Sequence, residues 1–85
     1  MHLEATQTFI KLYRELPADI QARTKKTLEL LESHSFHPSL GHKKMAGQKD
    51  IFEARVSDNY RITYKKIGNT AYLRKIGTHD ILRHP

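Results

Sequence analysis

Four side chains in the second half of this chain are of types that can act together on a phosphodiester: His79, Arg61, Glu53 and Arg55. An imidazole titrates near neutral pH and moves a proton in either direction. A guanidinium stays charged and offers a planar fork matched to phosphate oxygens. A carboxylate carries a proton, orients a neighbour, or closes a structural salt bridge. Taken singly, each has a plain alternative: His79 as a strand-end cap, and Arg61 as a cross-strand ion-pair partner of Glu53. What matters is whether the chain gathers them on one surface.

The segments that carry them read as short strands. Along Ile51-Phe-Glu-Ala-Arg-Val56, alternation puts Phe52, Ala54 and Val56 on one face and Glu53 and Arg55 on the other. In Tyr60-Arg-Ile-Thr-Tyr-Lys-Lys66, residues Tyr60, Ile62 and Tyr64 oppose Arg61, Thr63 and Lys65. A third strand, Ala71-Tyr-Leu-Arg-Lys-Ile-Gly-Thr-His79, ends on the histidine. Asp58-Asn59 and Gly68-Asn69 supply the turns between them. The result is a small sheet with one apolar face and one face of arginine, lysine and carboxylate, the outline of an RNA-handling surface. Phe52, Ile62, Tyr64 and Leu73 are the expected core.

Charge supports that outline. Residues 1–42 hold five Lys and Arg against five acids, whereas residues 43–85 hold ten against four. The whole formal net charge of +6 therefore falls on the strand half. Such asymmetry points to a polyanionic partner, the plain alternative being a solvated basic surface. Eighty-five residues suit a single domain, 1–85, that buries only about 60–65% of its unfolded surface. There is no cysteine, so disulfides and thiolate zinc sites are excluded. No apolar run approaches the roughly 18 residues of a membrane span, and a cytoplasmic chain is expected.

The first half is helical. Phe9, Leu12, Tyr13 and Leu16 fall at i, i+3, i+4 and i+7, starting from Thr6 or Thr8. Pro17 ends that helix and suits the opening of a second, which runs to about Ser33 with Ile20, Thr24, Leu28 and Leu31 as its buried stripe. His2 to Ala5 and Lys43 to Met45 are weaker strand signals. Residues 34–50 are irregular, punctuated by Pro38, Gly41 and Gly47. His34, His37 and His42 lie in that flexible stretch without acidic or thiol companions, so no metal site and no cofactor is expected. The order predicts an α+β fold: a two-helix hairpin on the apolar face of a small antiparallel sheet.

The run Lys43-Lys-Met-x-Gly47, Asp50-Ile-Phe-x-x-Arg-Val56, Tyr60-Arg-Ile-x-Tyr64 and Ile76-Gly-Thr-His-Asp80 resembles the RelE/ParE superfamily of type II toxins. Phe9-x-x-x-Tyr13-x-x-Leu16-Pro17 and Leu28-x-x-Leu31 extend the likeness over nearly the whole chain. No one element is specific; four in this order and spacing are. The resemblance implies about four antiparallel strands under two helices. The Gly-Thr-His-Asp ending is most similar to RelE-like members that carry a histidine there, the YafQ type. By resemblance, the chain is a toxin that cleaves translated mRNA on the 70S ribosome without a metal and is neutralised by a cognate antitoxin. ParE-type members share the fold and act on DNA gyrase without nuclease chemistry; an inactive RNA- or antitoxin-binding member is a further alternative.

Carried onto this sequence, the likeness implies His79 as the proton carrier, base or acid, and Arg61 as the phosphate cation, ahead of Arg55. Glu53 stands where histidine-bearing relatives place an acid. It is a second proton carrier, an orienter of His79 or Arg55, or a salt-bridge partner. Lys43 and Lys44 reach the RNA backbone as point charges; Lys65, Arg74 and Arg83 add peripheral attraction. RelE-like members often stack a base on an aromatic near the C-terminus, and Asp80-Ile-Leu-Arg-His-Pro85 has none. That leaves Tyr60, His84 or Phe36 for stacking.

Overall fold

The computed structural model describes residues 1–85. Its elements run β1 (His2–Ala5), α1 (Gln7–Arg14), α2 (Ala18–Ser33), β2 (Lys43–Lys44), β3 (Ile51–Arg55), β4 (Arg61–Ile67) and β5 (Thr70–Gly77). Short 3-10 turns occupy Pro38–Leu40 and His79–Arg83.

Thr6 starts α1 and ties it to the sheet. Its Oγ1 accepts from the Phe9 N–H at 3.2 Å and donates to the Leu73 carbonyl at 2.7 Å. Pro17, at φ −56°, caps α2 without a side-chain hydrogen bond. The hairpin between the helices is clasped by Gln21, whose Nε2 donates to the Tyr13 carbonyl at 3.0 Å. Phe9 from α1 and Leu31 from α2 meet Ile62, Tyr64, Ala71, Leu73 and Ile76 in one buried cluster. Three of the four residues expected to form the sheet's core are buried in it; Phe52 is only partly covered.

The sheet departs from the expected pattern in count and direction. It has five strands in the order β1-β5-β4-β3-β2, and β1 runs parallel to β5. Leu3 and Ala5 lie opposite Ala71 and Leu73, and Leu3 packs on the core. The segment is held as a strand by its pairing with β5 and the packing of Leu3 rather than by its own weak propensity. β3, β4 and β5 form the expected antiparallel meander, with Gly68 at φ +59° opening the two-residue turn between the last two.

The middle of the chain is less loose than its composition suggests. Leu40, in the first 3-10 turn, is 1% exposed and belongs to the core. Gly41 follows at φ +50°, a left-handed conformation that glycine adopts without steric cost. His42 stacks against Phe52 and Tyr64, with ring centroids 5.1 and 5.5 Å away, and its Nε2 hydrogen-bonds the Tyr64 hydroxyl. It is a structural clamp rather than part of a flexible loop.

Candidate nucleic-acid interface

Strand register sorts the face opposite the helices into rows. Arg55 lies opposite Arg61, and Arg61 opposite Gly77. One pair further in, Lys43 lies opposite Glu53, Glu53 opposite Thr63, and Thr63 opposite Lys75. The third row is Ile51, Lys65 and Tyr72. Period-2 alternation therefore does gather Glu53, Arg55, Arg61 and Lys65 on one surface. Lys44 is set opposite Phe52, on the other face, so only Lys43 of the lysine pair joins the polar rows.

The middle row holds an unusual carboxylate. Glu53 Oε1 pairs with Lys43 Nζ at 3.6 Å; the glutamate side chain is 10% exposed and the lysine 72%. Glu53 Oε2 is buried and receives no hydrogen bond from the chain. A buried acceptor left unsatisfied is costly, and its persistence calls for a reason. Glu53 thus faces Lys43 rather than forming the ion pair with Arg61 that the alternation allowed.

Both guanidiniums are turned to the end of the sheet. Arg61 Nη1 donates to the carbonyls of Ser57 at 2.5 Å and Tyr60 at 3.0 Å. Arg55 is ion-paired with the exposed Asp58. His79, two residues beyond Gly77, opens the second 3-10 turn and is exposed. With Asn59, Tyr60, Thr78 and Asp80 it lines an open cleft of about 430 Å³. Neither a hydrogen bond nor an ion pair links His79 to Glu53, Arg55 or Arg61: the two arginines lie opposite each other, Glu53 is in the next row, and His79 is on the turn beyond β5. Of the three stacking candidates, Tyr60 is the one in this cleft. Phe36, 74% exposed, packs by its edge on His42 instead.

Thr63 and Lys75, opposite each other on this face, carried no expected role. Thr63 is fully buried, and its Oγ1 donates to the main-chain oxygen of Pro85 at 3.2 Å. Arg74 Nε donates to the same oxygen at 2.9 Å, and Lys75 Nζ bonds the His84 carbonyl. Arg74 and Lys75 reach one site because the β4–β5 register shifts between Thr63 and Tyr64, which leaves Arg74 as an extra residue. A bulge has no signal in single-strand periodicity. Arg83 is exposed on the second 3-10 turn.

The perturbed titrations lie on the helix side. Burial lowers the His42 pKa from its ordinary value, and the Lys66 charge lowers it further. Burial alone raises the Tyr64 phenol well above its usual range. The pair is held neutral, as suits a packing contact.

No protein-family model and no curated protein sequence matches the chain. Solved structures do. A chain of the RelB-RelE antitoxin-toxin complex from Methanococcus jannaschii superposes with a TM-score of 0.78 at 26% identity, covering 96% of this chain and 99% of its own. YafQ from E. coli strain BL21(DE3) gives 0.76 at 16% identity, covering 94% of each. A chain of the intact E. coli RelBE toxin-antitoxin complex gives 0.73 at 20%, covering 91% of this chain and 94% of its own. The chain has the RelE-like toxin fold.

Proposed function

We propose that this chain is the toxin of a toxin–antitoxin pair and acts as a ribosome-dependent, metal-independent endoribonuclease on translated mRNA. The observation that carries the reading is the meeting of an exposed imidazole, His79, and an aromatic ring, Tyr60, in an open cleft at the guanidinium end of a cationic sheet face. RNA cleavage of this kind uses the 2′-hydroxyl as nucleophile. Its proton passes to a base as the oxygen attacks phosphorus; the bond to the 5′-oxygen breaks, and that oxygen takes a proton from an acid. The products are a 2′,3′-cyclic phosphate and a free 5′-hydroxyl.

His79 serves one of the two proton transfers. Arg61 and Arg55 stabilise the extra charge on the phosphorane, after exchanging their present carbonyl and carboxylate partners for phosphate oxygens. Glu53, with its free buried oxygen, is the second proton carrier. Tyr60 stacks a base of the message, a role any base can satisfy through its π-face. The ribosome holds the message in reactive geometry, which the open cleft does not do by itself. On this reading the chain works in the cytoplasm, with the 70S ribosome and mRNA as partners. A cognate antitoxin, the companion of the RelE chains it resembles, neutralises it by covering the cationic face or the helices.

Primer extension on a message translated in a purified system tests the reading. Cuts at in-frame codons are expected from the wild type, and in His79→Ala and Arg61→Ala they should vanish or slow by about 10²-fold or more. Intact message alongside inhibited growth would instead favour gyrase, to be checked by supercoiling.

A further inference from the structure

A second cavity, of about 380 Å³, lies between α2, the first 3-10 turn and the end of β3. Its size falls within the range of small-ligand sites, about 300–1,000 Å³. Arg23, Lys26, Thr27 and Leu30 reach it from α2 at i, i+3, i+4 and i+7, one face of the helix. Ser39 and Leu40 come from the turn, and Arg55 and Val56 from the strand end. Three cations and an apolar wall thus share one cavity, and no carboxylate lines it. Asp19 stands four residues before Arg23 and Glu29 three after Lys26, within helical reach, yet neither is ion-paired with them. A solvated helix face would explain Arg23 and Lys26 alone. It explains neither the third cation, brought from another element, nor the apolar wall. Like charges set so close repel, and an anion among them relieves that cost.

We propose that this cavity is a nucleotide subsite: Arg23, Lys26 and Arg55 take the phosphate, and Leu30 and Val56 pack on the sugar and base. The nucleotide is one unit of an RNA strand or a free one; the strand rests on the function proposed above. The guanidiniums suit phosphate oxygens as planar forks and the ammonium as a point charge. Arg55 exchanges Asp58, an exposed partner, for the phosphate. Continuity favours the strand. Val56, in this cavity, donates its N–H at 3.0 Å to the carbonyl of Tyr60, which lines the cleft beside His79. Arg55 also joins the two, lying opposite Arg61 in the sheet while lining the cavity. A strand leaving the cleft around this corner meets Arg55 first, then Arg23 and Lys26. Binding energy gathered there, away from the reacting phosphate, helps to hold the message in register.

The test uses the full chain with two probes: an end-labelled 2′-O-methyl single-stranded RNA oligonucleotide, which lacks the nucleophile, and adenosine 5′-monophosphate. Amide NMR shifts of Thr27 and Ser39, on two sides of the cavity, report its occupancy. Fluorescence anisotropy at one fixed salt concentration gives the affinity of the oligonucleotide. Arg23→Gln/Lys26→Gln is expected to weaken its binding about tenfold, against about twofold for Lys11→Gln/Lys25→Gln, which removes equal charge from exposed helix positions outside the cavity. Ser39 is exposed, so Ser39→Phe fills the cavity without changing charge or core; binding should weaken about fivefold.

Shifts from the oligonucleotide that excess adenosine 5′-monophosphate does not reverse would uphold the subsite with a strand as its ligand. Shifts from the mononucleotide that Arg23→Gln/Lys26→Gln abolishes, with none from the oligonucleotide, would uphold it for a free nucleotide. Neither probe moving the two amides, or equal losses from the two double variants with whichever probe does, would overturn it. Binding that depends on Arg23 and Lys26, without cut message, would keep the subsite and remove the nuclease. Cut message from a protein whose amides neither probe shifts would do the reverse.

Discussion

At the scale of single residues, Glu53 is where structure and chemistry press hardest. Its carboxylate is nine-tenths buried, with one oxygen on Lys43 and the other on nothing. A purely structural ion pair would leave no reason for the second oxygen to stay dry and unpaired. Glu53→Gln keeps the shape, removes the charge and gives the site a donor. We expect stability within about 1 kcal/mol of the wild type by urea unfolding, because the lost ion pair is offset by relief of a buried charge. Cleavage in the translation assay should fall about 10²-fold. Unchanged cleavage with lowered stability would make Glu53 a salt-bridge partner only. Alternation in Ile51–Val56 was enough to place Glu53 and Arg55 on one face. That Glu53 would choose Lys43 over Arg61 depends on the pairing of β2 with β3, which two residues of strand do not announce.

At the scale of elements, the clamp between His42 and Tyr64 joins the irregular segment before β2 to the centre of the sheet. Burial and Lys66 depress the His42 pKa in the folded chain relative to its unfolded value near 6.5. The unfolded state therefore binds more protons on acidification, and stability rises with pH across this window. The contribution is complete above the unfolded value and is lost as pH falls below about 6.5 through the lower folded value. Urea unfolding at pH 7 and pH 5 should show a loss in the wild type that is smaller in His42→Asn; an equal loss would place the titration elsewhere. This clamp, and Leu40 beside it, were not legible in the sequence because a stretch rich in Pro, Gly and His reads as loop whether or not it packs. The helices and the β3–β5 meander were legible, since each has an apolar period of its own. β1 was only faint, because its direction and partner come from β5 and not from its four residues.

At the scale of the whole molecule, the +6 of the chain has a direction. Residues 1–42 balance their charges, and the excess sits in residues 43–85, where Lys43, Lys65, Arg74 and Lys75 all belong to the polar rows or their bulge. A chain that used this charge for solubility alone would gain nothing from gathering it opposite its hydrophobic layer. Gathered, it is an attractive field for a phosphate backbone and a means of fast encounter. Counterion release makes the idea quantitative. Single-stranded nucleic acid loses affinity with a slope of about −0.7 per neutralised phosphate in a plot of log K against log salt. A strand engaging about four of these cations should give a slope of about −3, and Arg74→Gln/Lys75→Gln should bring it to about −1.5. Titration of an end-labelled, 2′-O-methyl single-stranded RNA oligonucleotide, which binds without being cut, at several salt concentrations measures both. A slope near zero would mean that the strand is held by stacking on Tyr60 rather than by the cationic rows. A steep slope unchanged in the double variant would move the phosphate path away from the bulge.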